Sequence, residues 1–516
     1  MNMKLHSIKI KNFRSYKEEV EIKIDDLTTF VGKNDIGKSS VLEALDIFFH
    51  DGKGDYVIKL DKDDINKSAL EEGNRDVFIT AIFTDLPDSI TIDATNPTTF
   101  ENEYLLNSNG RLEIIKKYPN AGTAKVFIKA NHPTNAKCSE LLLKKIGDYK
   151  KIIRDESIEC ENLTVNAIMR TAIWNHFADD LQLNEIEIDT SKEDAKNIWE
   201  KIQTYLPLYC LFQSDRKNSD NDSEVQDPLK KAVSQILADQ TVISMFEDIA
   251  ERVSAHLNAV SNATLAKLRE MNPDIANSLN PIIPTASALK WVDVFKNVSI
   301  TGDDNIPINK RGSGVKRLIL LNFFRAEAER RMRSGNSQSV IYAIEEPETS
   351  QHTDHQILLI KAFKELSQAD KTQVLLTTHS SIVVKGLEFE NLRLINKDEE
   401  GNKSISEVLP NQLPYPSLNE INYIAFKDLT DEYHNELYSF IEAESWLTEF
   451  KNGKVEMDYI RLRGQNQIPE KKVLTEYIRH QIHHPENILN PRFTFVQLEE
   501  SVNLMREFIL NKRSEL

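Results

Sequence analysis

The chain opens on alternation. From Leu5 to Phe13 apolar and polar residues take turns, as in a strand with one buried face. Val20 to Ile24 repeats the pattern, and Thr28 to Val31 is a short apolar run. Val77 to Phe83, Leu112 to Ile115 and Val126 to Ile128 also read as strands. Residues 1–133 are therefore expected to form a sheet-rich α/β lobe. The period then lengthens. Ser139 to Ile146, Lys192 to Tyr205 and Asp227 to Met271 read as helices, the last with Leu229, Val233, Ile236 and Leu237 near a 3.6-residue repeat. This predicts a helical insertion over 134–285, broken by a polar loop from Ser214 to Glu224. Strand-like text returns at Trp291 to Ile300, followed by a helix, Val315 to Arg331, and strands at Ser339 to Ile344 and Gln373 to Thr378. Residues 286–409 thus complete the α/β unit. Residues 410–516, with a helix from Asp431 to Ala443, are expected to be an all-α tail.

Composition narrows the class. The 516 residues suit about three domains, and 40% hydrophobic with 28% charged residues suits a folded globular chain. A net charge of −17 argues against a generally basic nucleic-acid binder. Lys144, Lys145, Lys150, Lys151 and Arg154 form a local basic run, read either as a solvated helix face or as a DNA-facing patch. Cys138, Cys160 and Cys210 contain no CxxC pair, so neither a disulfide framework nor a cysteine zinc site is expected. That usage fits a reducing, cytoplasmic setting. Leu318 to Phe324 is too short to span a bilayer, and the first eleven residues lack the apolar core of a secretion signal. No membrane association is expected.

The strongest chemical signal is Gly32-Lys33-Asn34-Asp35-Ile36-Gly37-Lys38-Ser39, a full G-x-x-x-x-G-K-[ST] phosphate loop. An apolar strand, Leu27 to Val31, precedes it, and a helix with Val41, Leu42, Leu45 and Phe49 on one face follows. The glycines let backbone N–H groups curl around a phosphate, and the helix N-terminus favours negative charge. Gly32, Asn34, Gly37, Lys38, Ser39 and Ser40 are the candidate nucleotide contacts. Lys38 would hold the β- and γ-phosphates, and Ser39 would ligate Mg²⁺.

Later segments supply matching parts. The apolar strand Ser339 to Ile344 ends in Glu345-Glu346-Pro347-Glu348. One carboxylate there can serve the Mg²⁺ shell and the next can orient water. Thr377-Thr378-His379-Ser380 ends the next strand and offers a histidine to the γ-phosphate. Arg311-Gly312-Ser313-Gly314 opens a helix, with free N–H groups suited to an anion. Lys11-Asn12-Phe13-Arg14 closes the first strand and could bring Arg14 to the nucleotide.

In this order, these motifs resemble the ABC-type ATPase heads of the SMC, RecF and OLD families, over about 1–130 and 285–400. The resemblance implies an α/β, SMC/RecF-like head with a helical insertion, taking ATP and Mg²⁺. It implies a homodimer or higher homo-oligomer in which two heads clasp two ATP molecules head-to-tail. Lys38 and Ser39 would act in cis, and Ser313 and Gly314 would reach the other subunit's γ-phosphate. Glu346 would polarise water, His379 would sense the γ-phosphate, and His352 would fall on the D-loop. Three departures stand out. Glu345 replaces the usual Asp, which puts Mg²⁺ contact through water. The signature lacks its leading Leu-Ser. No Q-loop glutamine follows the phosphate loop, where Asp63 and Asp64 stand instead. Slow hydrolysis, with ATP acting mainly as a dimer clamp, is the consequence expected. Heads of this kind resemble components of antiphage-defence and DNA-surveillance systems.

No Asp-x-Asp occurs between 400 and 516, so a TOPRIM nuclease domain of OLD type is not expected there. The tail instead carries Tyr477-Ile478-Arg479-His480-Gln481-Ile482-His483-His484-Pro485. Arg479 and His484 look like the Arg-x4-His pair of HEPN ribonucleases, with Glu436 as a third polar candidate. Five residues of ideal helix put the pair about 140° apart, whereas Arg479 and His483 share a face. A polar helix end is the plain alternative. Three functions stay open: an ATPase gating an RNase in its own tail, an ATPase scaffold holding a separate effector protein, and a RecF-like repair ATPase on DNA.

Overall fold

The computed structural model describes residues 3–213 and 339–515, apart from 34, 54–56, 93–96, 191–192, 350, 399–400 and 465, together with 242, 244, 245, 248, 251, 252 and 255. The chain divides into two compact units, one of residues 1–214 and 327–516, the other of 215–326. In the second unit, the described Arg252 pairs with Asp248 one helical turn away. The expected helix Asp227 to Met271 lies mostly outside the described residues. The strand Trp291 to Ile300, the helix Val315 to Arg331 and the whole Gly-Ser-Gly segment, with Ser313 and Gly314, lie outside them altogether.

In the first unit, β1 (Lys4–Lys11), β2 (Val20–Lys23), β3 (Leu27–Val31) and α1 (Lys38–His50) follow in order. Next come α2 (Lys67–Glu71), β4 (Val77–Thr84), β5 (Leu112–Tyr118) and β6 (Lys125–Pro133). Then α3 (Ile146–Asp155), α4 (Asn166–His176), β7 (Leu183–Asp189), α5 (Glu193–Gln203) and β8 (Leu208–Phe212) complete the N-terminal portion. After the second unit come β9 (Val340–Glu345), α6 (Thr353–Ser367), β10 (Thr372–Thr377), α7 (Ser381–Lys385), β11 (Leu392–Lys397) and β12 (Lys403–Glu407). The tail holds α8 (Leu418–Phe426), α9 (Asp431–Ala443), α10 (Leu447–Lys451), β13 (Glu456–Arg463), β14 (Asn466–Val473), α11 (Leu474–His483) and α12 (Phe495–Glu515).

Two six-stranded sheets organise the head. The first runs β2-β1-β4-β5-β6-β7, antiparallel throughout. The second runs β12-β11-β3-β10-β9-β8, parallel from β11 to β8 with β12 antiparallel at one edge. The composition of each sheet follows its exposure. β1 alternates buried and half-buried positions, as a sheet with two unlike faces does. β3 and β10 are buried at every position, so they read as short apolar runs rather than alternations. One apolar core joins Ile8, Phe30 and Phe48 to Trp174 and Leu375.

Two expectations need correction. The stretch from 134 to 214 belongs to the head unit, because β7 pairs with β6 and β8 pairs with β9. Its strands hid because β7, Leu-Asn-Glu-Ile-Glu-Ile-Asp, is largely exposed at an edge and carries a charged outer face. The tail is not all α. β13 and β14 form a hairpin turning at Gly464, φ +65°. Its strands are polar and mostly exposed, with Pro469 inside β14, so hydrophobic alternation could not announce them.

The head also buries an ion pair. Arg170 on α4 grips Glu103 through Nε at 2.7 Å and Nη2 at 3.0 Å, with both side chains at most 2% exposed. Removing one partner strands the other charge in the core. Arg170→Ala is therefore expected to cost about 3 kcal/mol of stability, read as a lower urea midpoint. An unchanged midpoint would show that the carboxylate is relieved by water or protonation.

Candidate functional site

The parallel register builds the site. Thr377 at the end of β10 lies beside Phe30 of β3 on one side and Glu345 of β9 on the other. The C-terminal ends of three neighbouring strands therefore open side by side, where ligands of parallel α/β sheets collect. β3 leads into the phosphate loop, β9 into the acidic turn and β10 into the histidine loop.

In the phosphate loop, Gly32 has φ +146° and Gly37 has φ +100°. At Gly32 a Cβ would meet the Ile395 carbonyl at 2.9 Å, so both the dihedral and the close approach require glycine. Tyr16, fully buried, donates its hydroxyl to the Gly37 carbonyl at 3.0 Å. Lys38 turns back over the loop and donates to the carbonyls of Gly32 at 2.9 Å and Lys33 at 2.8 Å. Burial pulls its ammonium down to about 8, with Glu346, Asp35, Glu348 and Glu345 opposing that fall. Ser39 donates its hydroxyl to Glu345. Ser40 is buried in the first turn of α1. Asn34 lies outside the described residues.

The acidic turn and the histidine loop meet. Glu346 holds φ +40°, unusual for a side chain of its size, and its N–H donates to the Thr377 carbonyl and hydroxyl, each at 3.1 Å. His379 Nε2 lies 2.8 Å from a Glu346 carboxylate oxygen, while its Nδ1 lies 3.5 Å from the Lys38 ammonium. Burial, then Lys38, lowers the imidazole below its usual range, which favours the neutral ring. The network assigns its proton to Nε2, donating to Glu346, and leaves the Nδ1 lone pair towards Lys38. Glu348, just beyond Pro347, is buried and accepts hydrogen bonds from the histidine loop.

Arg14, at φ +48°, is held by Glu43 of α1 and by Asp64, whose Oδ1 accepts from Nε at 2.8 Å. Asp64 thus acts as an arginine clamp rather than as a substitute for a Q-loop glutamine. A glutamine does stand nearby. Gln213 directly follows β8, beside β9, and donates to Glu43 at 2.9 Å. Sequence reading missed it by searching too close to the phosphate loop. Its signal was its place at the end of the apolar run Leu208 to Phe212, just ahead of a polar stretch. His352 caps α6 and is three-quarters exposed.

The tail candidates do not assemble. Arg479 lies over the Tyr438 ring at 4.2 Å and donates to Ser439 and Glu442, each at 3.2 Å. His484 pairs with Glu486 at 3.1 Å and stacks on His480. Glu436 accepts from Ser417 at 2.7 Å and Asn419 at 3.0 Å. Each is satisfied by a different set of partners. Pro485 ends α11 at His483, which takes His484 out of the helix.

Residues 3–384 match the AAA ATPase domain family, a span from β1 to α7 that contains every element of the site. The chain belongs to that family. Two curated relatives are both named "Endonuclease GajA", from Bacillus cereus strains HuB5-5 and VD045. They are 23% identical over 427 residues and 24% over 404, each covering 76% of this chain. The chain spans 58% of the length of each. Among solved structures, an SMC head bound to the C-winged helix domain of ScpA covers 78% of this chain and 98% of its own, at 12% identity and TM-score 0.36. The SMC head of Thermotoga maritima covers 79% and 100%, at 12% identity and TM-score 0.33. The strand order, the phosphate loop and the family match make this an α/β P-loop ATPase.

The depressed Lys38 ammonium gives a pH prediction. Phosphate oxygens favour the charged form, so ATP binding raises the folded-state value from about 8. Affinity should therefore fall as pH rises above 8, and binding at pH 8.5 should take up a proton. Calorimetry in buffers of different ionisation enthalpy checks this, and buffer-independent heats at pH 8.5 would contradict it.

Proposed function

We propose that the protein is an ATP-driven switch that dimerises around nucleotide and passes its ATP state to the tail and to a partner protein. The observation that carries this is the convergence of Lys38, Ser39, Glu345, Glu346 and His379 at adjacent ends of one parallel sheet. Lys38 and the loop N–H groups would hold the triphosphate. Ser39 and Glu345, whose polar atoms meet, would hold Mg²⁺, which would neutralise charge building on the phosphates. Gln213, Arg14 and Ser40 would line the same mouth. Glu346 would take the proton of the attacking water. Before that it must be released from His379, which would turn to the γ-phosphate. Ser313 and Gly314 of a second copy would complete each site.

The tail reading rests on a contact. Lys33, inside the phosphate loop, lies 5.1 Å from the ring centre of Phe426 at the end of α8. Lys385 of α7, which follows the histidine loop, lies 4.6 Å over Tyr415. The phosphate loop and the helix that follows the histidine loop therefore both touch one stretch of tail. A regulatory scaffold fits this better than an RNase tail, since Arg479, His484 and Glu436 are each engaged elsewhere. The relatives' name suggests the effector class, a nuclease, and the resemblance of the motifs to those of antiphage-defence ATPases suggests the setting. Among the described residues no helix is long and apolar enough to cross a membrane, and we place the protein in the cytoplasm.

Glu346→Gln is expected to keep ATP binding, to slow hydrolysis by roughly a hundredfold or more, and to accumulate dimers in light scattering with Mg–ATP. A variant that hydrolyses at the wild-type rate would refute the assignment of Glu346, and one that stays monomeric with ATP would refute the clamp. Phe426→Ala should lose a contact of about 0.5–1 kcal/mol, leaving turnover within about twofold. It should also abolish ATP-dependent hydrogen-exchange protection of residues 415–427. Unchanged protection would break the proposed link to the tail.

A further inference from the structure

We propose that Glu348 is a positioning residue for ATP hydrolysis, holding the His379 loop against the Glu346 carboxylate. The proposal rests on the roles just given to Glu346 and His379. Three consecutive residues leave the end of β10, and all three converge on one oxygen of Glu348. Oε1 accepts from the Thr378 hydroxyl at 2.6 Å, from the His379 N–H at 2.7 Å and from the Ser380 N–H at 3.2 Å. The second oxygen, Oε2, is buried and has no hydrogen-bond partner among the described residues.

The two loops hold each other in both directions. The backbone of Glu346 donates to Thr377, and two residues later the side chain of Glu348 accepts from the residues after Thr377. The His379–Glu346 pair sits inside this clasp. Ser380 is tied on its far side as well, its hydroxyl donating to Gln356 of α6 at 2.6 Å. Rotation of His379 between Glu346 and a phosphate therefore takes place on a backbone that cannot drift.

The choice of a carboxylate calls for a reason. A buried, 9%-exposed acid with one bare oxygen is an expensive way to tie a loop, and a neutral amide would desolvate less charge. Its charge does something a neutral tie would not. It favours the protonated form of His379, opposing the burial that depresses it. Geometry and charge thus both act on His379. The turn Glu346-Pro347-Glu348 sets this up, because Pro347 fixes the backbone between the two acids.

The test is a double-mutant cycle with Glu348→Ala and His379→Ala on the full chain. Glu348→Ala alone should lower kcat roughly tenfold or more, with ATP affinity changed less than about threefold. In the His379→Ala background it should add less than about twofold, because its route is through the histidine. An equal loss in both backgrounds would overturn the proposal, as it would mark a merely structural residue. A second readout needs no turnover and uses Glu348→Gln, which keeps an acceptor oxygen. The His379 imidazole faces Lys38, Asp35, Glu346 and Glu348, and its NMR titration midpoint in nucleotide-free protein should fall when the Glu348 charge is removed. An unchanged midpoint would overturn the proposal even if Glu346 proved not to be the base.

Discussion

The structure depends on one alignment: the parallel hydrogen-bonded register of β3, β10 and β9. Because Phe30, Thr377 and Glu345 share a row, three loops far apart in sequence emerge at the same level. A slip of one residue along any strand would turn its side chains to the opposite face and move its loop out of reach of the others. Burial of β3 and β10 on both faces enforces the alignment, since a slip would also misplace Leu27, Phe30, Leu375 and Leu376 in the core. Packing energy thus sets the geometry of the chemistry, although none of those apolar residues touches a phosphate.

The polar and charged groups of the site are partnered within the chain. Lys38 donates to loop carbonyls, Ser39 to Glu345 and His379 to Glu346. Each of these contacts is one that a magnesium-bound triphosphate can take over. The arrangement keeps a buried ammonium and several carboxylates partnered at modest cost. On the proposed reading, it would also hold the Glu346 carboxylate back until a γ-phosphate competes for His379. Arg14 shows the opposite design, gripped by both Glu43 and Asp64. It is placed as a fixed wall of the mouth and not as a moving part.

Legibility in the sequence followed burial and local motif. Leu27 to Val31 and the strand ending at Glu345 were plain because strands buried on both faces carry few charged residues and many apolar ones. The phosphate loop was plain because its glycines serve backbone dihedrals that few other residues allow. β7 and the β13–β14 hairpin were obscure, since exposed edge and surface strands carry charge where a pattern would show. Gln213 and Glu348 were missed for another reason. Their meaning comes from neighbours more than thirty residues away along the chain, Glu43 for one and His379 for the other. The Arg479–His484 spacing matches a short motif, and the structure gives the two side chains different partners, Tyr438 and Glu486.

The most direct measurement is a crystal structure with Mg²⁺ and a non-hydrolysable ATP analogue. The account predicts the triphosphate in the loop from Gly32 to Ser39, Lys38 transferred from the Gly32 and Lys33 carbonyls to phosphate oxygens, the cation beside Ser39 and Glu345, and His379 turned from Glu346 to the terminal phosphate. A nucleotide bound elsewhere, or one bound in that loop with Lys38 still on its backbone carbonyls, would contradict it.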